Sequence, residues 1–338
     1  MGKVTSLEVA EKAGVSRSAV SRVFTPGASV SKRTAEKVRS AAAALGYRPN
    51  VLARSLNTGR SRIVGLVVAY LENQFYPEAI EKLSKALQAE GYHMLVFMAS
   101  NDHAATQSVI DELLDYQVDA IIAASVGLSN DLTRRCEGLG IPLVLFNRHQ
   151  NDAGLTSVTS DNAAGGRKLA EFLIAGGHRR IAHIAGWEGA STQIDRERGF
   201  VEGLAAAGLS LYAREVGNFD FDQAKIAARR MFARTDRPDA VFVANDHMAF
   251  AVMDVLRYEL GLRVPEDVSV VGYDDVTLAQ WPSYDLTTVR QPANRMVTQT
   301  IEALLARLDG QDETPRKIVL DGPLMIRGSA RKPQGRDT

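Results

Sequence analysis

Residues Val4 to Val23 read VTSLEVAEKAGVSRSAVSRV, and this stretch decides the first part of the fold. Thr5-Ser6-Leu7-Glu8 has the form of a capping box, with a Thr hydroxyl for the first free amides and a Glu three residues on that reaches back. Leu7, Ala10 and Ala13 then share one helical face. Gly14 ends that helix, Val15 plugs the turn, and Ser16 is placed to cap a second helix from Arg17 to Phe24. At about 100° per residue, Ala19, Val20 and Val23 point one way while Arg17, Ser18, Ser21 and Arg22 point the other. Two short helices joined by a tight turn, the second with a basic outer face, describe a helix-turn-helix.

Outward from this stretch the chain stays helical. Pro26-Gly27 interrupts it. Ser31 caps a third helix, with Thr34 in its first turn, whose Val38, Ala42 and Leu45 are apolar, and Gly46 stands where a C-terminal cap belongs. Charge follows the same boundary. The 338 residues carry 40 Lys+Arg and 40 Asp+Glu, yet residues 1–62 hold twelve bases against three acids and the remaining 276 hold 28 against 37. A basic piece on an acidic body is the footprint of a nucleic-acid-binding domain on a carrier. On that reading Arg17, Ser18 and Arg22 contact base edges in the major groove, where Arg can donate twice to guanine. Thr5, Ser16, Ser21, Ser31 and Thr34 suit phosphate oxygens, which set register rather than sequence.

The motif Val4–Val23 resembles the headpiece of the LacI/GalR family of bacterial repressors. So do Gly46-Tyr-Arg-Pro-Asn-Val-Leu-Ala-Arg-Ser-Leu56, Gly272-Tyr-Asp-Asp275, Leu286-Thr-Thr-Val289 and Arg327-Gly-Ser329, so the resemblance runs through essentially the whole chain. It implies a ligand-responsive transcription regulator, expected to be a repressor, that binds a near-palindromic double-stranded DNA operator as a homodimer. It also implies a hinge helix near Pro49–Leu56 that orders when two subunits meet on DNA. Ala53, Arg54 and Leu56 would then reach the minor groove, with Leu56 as an apolar wedge whose unstacking cost of a few kcal/mol is recovered through bent DNA. Without the resemblance, about seven helical residues are too few to be stable alone, and the segment reads more readily as a linker to the next domain with Leu56 in its packing.

The body alternates strands and helices. Ile63–Val68 is a continuous apolar run, as a strand buried on both faces should be. Further strands are expected at 93–98, 120–124, 143–146, 180–184, 240–243 and 268–271, with helices after Val68 to Gln88 and at 163–175, 200–207, 224–233 and 248–258. This βα alternation argues for doubly wound parallel sheets in an α/β body behind the small all-α headpiece. The resemblance adds a periplasmic-binding-protein-like pair of lobes with three chain crossings, near 161–162, 291–292 and 321–322. The expected organisation is a headpiece at 1–47, hinge and linker at 48–60, and a two-lobed effector and dimerisation domain at 61–338. Its N-lobe is about 61–161 with 292–321, and its C-lobe about 162–291 with 322–330.

Ligands of open parallel sheets bind at the carboxyl ends of the strands. That rule selects Asn73, Phe75, Tyr76, Ser125, Asn147, Arg148, Trp187, Asn245, Asp246 and Asp274. Amides, carboxylates, an Arg and aromatics together suit a sugar- or nucleoside-like ligand. Taken singly, each could be a loop polar group or a helix cap, as Asp246 could be for the helix at Met248. The resemblance implies that Arg196 and Asp274 anchor the effector, that Asn245 and Asp246 occupy an Asn-Asp position, that Phe221 stacks on the ligand, and that Asp161 marks a crossing. Trp281 and Gln291 complete the expected lining. Asn73-Gln-Phe-Tyr76 and Phe146-Asn147-Arg148 depart from the family's usual patterns and leave the ligand's identity open. A sugar or polyol is expected, with a nucleoside as the alternative.

Enzyme chemistry finds little support. His178-Arg-Arg-Ile-Ala-His183 lacks the i, i+4 spacing of a helical metal site. Gly186-Trp-Glu-Gly189 is neither a dinucleotide fingerprint nor a phosphate loop. The single cysteine, Cys136, forms no internal disulfide and has no activating neighbour in sequence. No catalytic residue, metal or cofactor is expected. A solute-binding protein with a similar body would call for a secretion signal where this chain has its basic headpiece. The early apolar runs are short, so a cytoplasmic setting without a membrane span is expected. The tail from Arg327 carries no apolar heptad, which favours a dimer over a tetramer.

Overall fold

The computed structural model describes residues 4–25, 28–48, 60–99, 103–126, 130–150, 154–312 and 314–333. Ala53, Arg54 and Leu56 lie outside the described residues. The chain divides into two compact units, Met1–Arg62 and Ile63–Thr338.

In the first unit, α1 spans Ser6–Ala13, α2 Arg17–Val23 and α3 Lys32–Leu45. Both arms of the capping box form: the Thr5 hydroxyl accepts from the Glu8 amide, and the Glu8 carboxylate accepts from the Thr5 amide at 2.6 Å. Gly14 (φ 62°) and Gly46 (φ 66°) close α1 and α3 in the left-handed region, which costs a glycine least. Val9, Ala10, Val20, Val38, Ala41 and Ala42 form the small core, edged by Phe24 and Tyr47 with ring centres 5.9 Å apart.

The second unit begins with β1 (Ile63–Val68), α4 (Phe75–Ala89), β2 (His93–Met98), α5 (His103–Asp115), β3 (Ala120–Ala124), α6 (Asn130–Gly138), β4 (Leu143–Phe146) and β5 (Thr156–Ser160). It continues with α7 (Asn162–Ala175), β6 (Ile181–Ala185), α8 (Ser191–Ala206), β7 (Ala213–Val216), α9 (Phe221–Phe232), β8 (Ala240–Val243), α10 (Asp246–Asp254) and β9 (Ser269–Asp274). Then come β10 (Thr287–Arg290), α11 (Ala293–Leu308), β11 (Lys317–Leu320) and β12 (Leu324–Met325). One sheet has the order β11-β5-β4-β3-β1-β2 and is parallel throughout. The other runs β12-β10-β9-β8-β6-β7, with only β12 antiparallel. The chain passes from the first sheet to the second after β5, returns after β10, and leaves again after β11.

Two buried strands, β5 and β10, lack a continuous apolar run. β5 reads Thr-Ser-Val-Thr-Ser and β10 reads Thr-Thr-Val-Arg. Their hydroxyl-rich runs are buried because both neighbours in the sheet satisfy the backbone, not because the side chains are apolar. Two helices of the second lobe, α7 and α8, pack with their backbones almost touching. A Cβ on Gly166 would collide with the Arg196 carbonyl, and one on Gly199 with the Ala163 carbonyl. This close approach fixes the height at which Arg196, three residues before Gly199, stands beside the sheet. Cys136 is buried in an apolar cluster of the first lobe, where burial raises its thiol pKa. Among the described residues, no helix is long and apolar enough to cross a membrane.

Candidate functional site

Two sites are candidates, one in each unit. On the headpiece, Arg17, Ser18, Ser21 and Arg22 are exposed on α2, while Val20 is fully buried and Ala19 and Val23 are half-buried. The outer face is therefore free to enter a groove. Arg17 Nε donates to Ser6 Oγ at 3.1 Å, which ties the start of α2 to α1. Three of the hydroxyls expected on phosphates also serve as caps: Thr5 for α1, Ser16 for α2 through the Ala19 amide, and Ser31 for α3 through the Thr34 amide. Ser16 further pairs with Ser18, and Ser31 with Thr34, each at 2.9 Å.

The second site lies at the carboxyl ends of the parallel strands. Its centre is Asp274, the last residue of β9, 4% exposed. Asp274 accepts from Asn73 Nδ2 (2.8 Å), Gln291 Nε2 (2.7 Å) and Arg196 Nη2 (3.2 Å). Arg196 is itself fully engaged: Nε donates to Asn162, Nη1 to the Ala244 carbonyl, and its guanidinium lies 3.7 Å from the centre of the Tyr273 ring. Burial raises the Asp274 pKa, and Arg196, Asn73 and Gln291 oppose that rise. Arg196 thus stands as part of a buried ion pair on an aromatic face, not as an open fork.

On the first lobe, the Tyr76 hydroxyl bonds Ser125 Oγ and accepts from Asn147 Nδ2 at 3.0 Å. Phe75 is buried with Tyr76 at the start of α4. Arg148 lies 5.3 Å from the centre of the Trp187 ring, a residue of the opposite lobe. Beside it, the His149 ring shares a hydrogen bond with Asp195 of α8 (2.7 Å), and its amide donates to Ser191 Oγ (3.0 Å). Phe221 at the start of α9 leans on His247, ring centres 5.5 Å apart. Several buried polar atoms here have no hydrogen-bond partner among the described residues: Asn147 Oδ1, Asn245 Nδ2 and His247 Nε2.

The strand ends share a backbone signature. Ser125 after β3 (φ 58°), Asn147 after β4 (φ 70°), Asn218 after β7 (φ 54°) and Asp274 of β9 (φ 124°) all have positive φ. Such conformations cost of order 1–3 kcal/mol and concentrate at functional sites. Asn and Asp tolerate positive φ better than most residues; of the four, only Asn218 was not already selected by its strand-end position.

Not every expected residue joins this cluster. Asp246 turns inward: its carboxylate accepts from Thr288 Oγ1 (2.6 Å) and the Val276 amide (3.0 Å). Burial, with Asp274 nearby, raises its pKa well above the ordinary value. Asn245, not Asp246, caps α10 through the Met248 amide. Asp161 caps α7 through the Ala164 amide. Trp281 is 53% exposed beyond the short 3-10 turn at 277–280 and makes no ring contact with the cluster. Tyr70, edge-on to Tyr76 at 5.0 Å, and His247 were not singled out by sequence.

Residues 6–50 match the family described as bacterial regulatory proteins, lacI family, and residues 170–330 match a periplasmic binding protein-like domain. The chain is 32% identical over 332 residues to the HTH-type transcriptional repressor PurR of Vibrio vulnificus (strain CMCP6), covering 97% of this chain and 99% of the relative. It is 36% identical over 330 residues to the HTH-type transcriptional regulator CelR of Thermobifida fusca, covering 95% and 96%. Among solved structures, a lac repressor dimer bound to operator and the anti-inducer ONPF superimposes with a TM-score of 0.87 at 28% identity, covering 97% of this chain and 99% of the other. A CelR–cellobiose complex gives 0.74 at 33% identity, covering 97% and 100%.

Proposed function

This chain belongs to the lacI family of bacterial regulatory proteins, and from that premise we propose that it is a cytoplasmic repressor whose grip on a near-palindromic operator is set by a sugar or polyol held between its two lobes. The observation that carries the ligand class is the set of unpartnered polar atoms at the strand ends. Asn147 Oδ1 accepts, Asn245 Nδ2 donates, and His247 Nε2 can do either. A polyhydroxylated ligand offers donors and acceptors on every carbon, whereas an apolar ligand would leave these atoms unsatisfied at about 1–3 kcal/mol each. Trp187 and Phe221 supply ring faces for its C–H surfaces. The solved complex of a CelR regulator with cellobiose supports the same class.

The switch follows from Asp274. Its carboxylate joins Asn73 of one lobe to Arg196 and Gln291 of the other. An effector that replaces these donors with its own hydroxyls changes the relative stability of the lobe arrangements, and only by its differential affinity for them. In the dimer the lobes set the spacing of the two hinge segments, where Ala53, Arg54 and Leu56 fall. Arg17, Ser18 and Arg22 read each half-site, and hydroxyls near the helix starts meet phosphates.

A thermal-shift screen of the full chain with sugars, polyols and nucleosides tests the effector class. A true ligand at 100 times its dissociation constant adds about 2.7 kcal/mol to folded stability. Stabilisation by a sugar or polyol is expected. A response confined to nucleosides, which the same aromatic faces could stack, would replace this reading.

A further inference from the structure

His149 touches the opposite lobe twice. Its backbone amide donates to Ser191 Oγ at 3.0 Å, and its ring Nε2 lies 2.7 Å from Asp195 Oδ2. Ser191 and Asp195 are four residues apart on α8, so they stand one turn apart on the same face of that helix. Main chain and side chain of one residue therefore engage one helical face, which fixes both the spacing and the register between the segment after β4 and α8. The preceding residue, Arg148, lies over the Trp187 ring at 5.3 Å. This seam is distinct from the Asn73–Asp274 bond, which joins the loop after β1 to the end of β9.

The His149–Asp195 pair is partly buried, with side chains 30% and 21% exposed. On α8, Arg198 Nη2 donates to Asp195 Oδ1 at 3.1 Å, and its Nη1 reaches Glu202 at 3.5 Å. The nearby acids Glu188 and Glu197 are taken up by Arg214. From the first lobe, Arg148 is directed at the indole. Burial pushes the Asp195 carboxyl up, but its bonds to His149 and Arg198 outweigh burial and hold it below the ordinary carboxylate range. An ionised carboxylate only accepts, so Nε2 carries a hydrogen whatever the charge on the ring. Histidine is the side chain that changes charge between about pH 5 and 8. Protonation would turn this hydrogen bond into an ion pair, screened less here than on an open surface.

We propose that His149 is a positioning residue for the lobes, and that its charge sets how firmly they hold the arrangement seen here. With the ring neutral, the lobes share a hydrogen bond at this point; with the ring protonated, they share an ion pair. Mild acid therefore shifts the lobe equilibrium toward this arrangement, by as much as the pair is strengthened in it. The latch needs no effector, so it stands independently of the sugar reading.

Trp187 reports on it. The chain has two tryptophans, so Trp281→Phe leaves Trp187 as the sole one. Lobe separation withdraws Arg148 from its ring and opens the ring to a neutral quencher. Acrylamide quenching of this full-length variant, without effector, is followed from about pH 8 to about pH 5.5, the range of histidine titration. The quenching constant should fall by about twofold toward the acid end as the population shifts. In the same background, His149→Gln keeps a donor without a charge and should stay at the high-pH value throughout. His149→Lys keeps the charge and should stay at the low-pH value. Asp195→Asn removes the counter-charge and should abolish the pH response. A flat profile in the single-tryptophan parent would overturn the proposal, as would a parental profile in His149→Gln or His149→Lys. So would a pH response that survives in Asp195→Asn, because the histidine would then act on the indole directly and not through the latch.

Discussion

Asn73 and Asp274, 201 residues apart, meet through a 2.8 Å hydrogen bond that joins the loop after β1 to the end of β9. This one contact ties the two lobes at the carboxylate that also neutralises Arg196. A ligand arriving there must compete with a buried, already satisfied network. Chemistry at Asp274 therefore bears on one of several contacts that join the lobes, His149 with Asp195 being another.

Asp274→Ala should both destabilise the protein and silence the effector response. The substitution leaves the Arg196 guanidinium buried without its counter-charge, a loss of about 3–5 kcal/mol. Thermal unfolding reads the first effect. Operator titrations with and without the effector found by screening read the second. A variant that still responds at wild-type effector concentrations would remove Asp274 from the effector site.

Arg22→Ala tests the reading face of α2. Loss of a bidentate base contact should cost about 1–3 kcal/mol per half-site and relax the preference at one base pair. Binding titrations at fixed salt, with operator variants at each position, measure both. Unchanged affinity and preference would mean that Arg22 reads no base.

Leu56→Ala should weaken specific binding far more than non-specific binding, and it should reduce the bend in the operator. Gel-shift phasing and competition with random DNA provide the two readings. If bend and specificity ratio both persist, Leu56 serves only as linker packing.

Gly199→Ala should be severely destabilising for a one-methyl change. Its Cβ would be driven into the Ala163 carbonyl, and neither helix backbone can yield without shifting Arg196. Overpacking of this kind costs about 1–3 kcal/mol or more. An unaltered unfolding midpoint would show that α7 and α8 can separate freely.

His183 gives the second lobe an acid-sensitive element. It is fully buried, its Nδ1 donates to the Phe242 carbonyl at 2.9 Å, and Nε2 faces Gln193 at 3.1 Å. Burial lowers its pKa from 6.5 to about 4. The unfolded chain therefore binds the extra proton first as pH falls, so stability declines from about pH 6.5 to about pH 4, by up to about 3 kcal/mol. Denaturant midpoints measured across that range should fall with pH, and His183→Gln should flatten the slope. A slope identical in the variant would exclude His183 as its source.

The sequence alone determined the headpiece. Its caps, its stop signals at Gly14 and Gly46, and the polar and apolar faces of α2 are local features, decided within a few residues by hydrogen-bonding chemistry and helical period. It also marked the apolar central strands β1, β3, β4 and β8, because a strand buried on both faces must be apolar throughout. The hydroxyl-rich strands β5 and β10 escaped, since their burial depends on sheet neighbours far away in the chain. The polar site divided in the same way. Strand-end position brought Asn73, Asn147, Asn245 and Asp274 into view, but only the tertiary structure decided their partners. It placed Arg196 against Tyr273 and Asp274, turned Asp246 inward to Thr288, and left Trp281 exposed. Those outcomes rest on contacts between residues tens to hundreds of positions apart, set by how the two sheets stack their strand ends, and no local pattern encodes them.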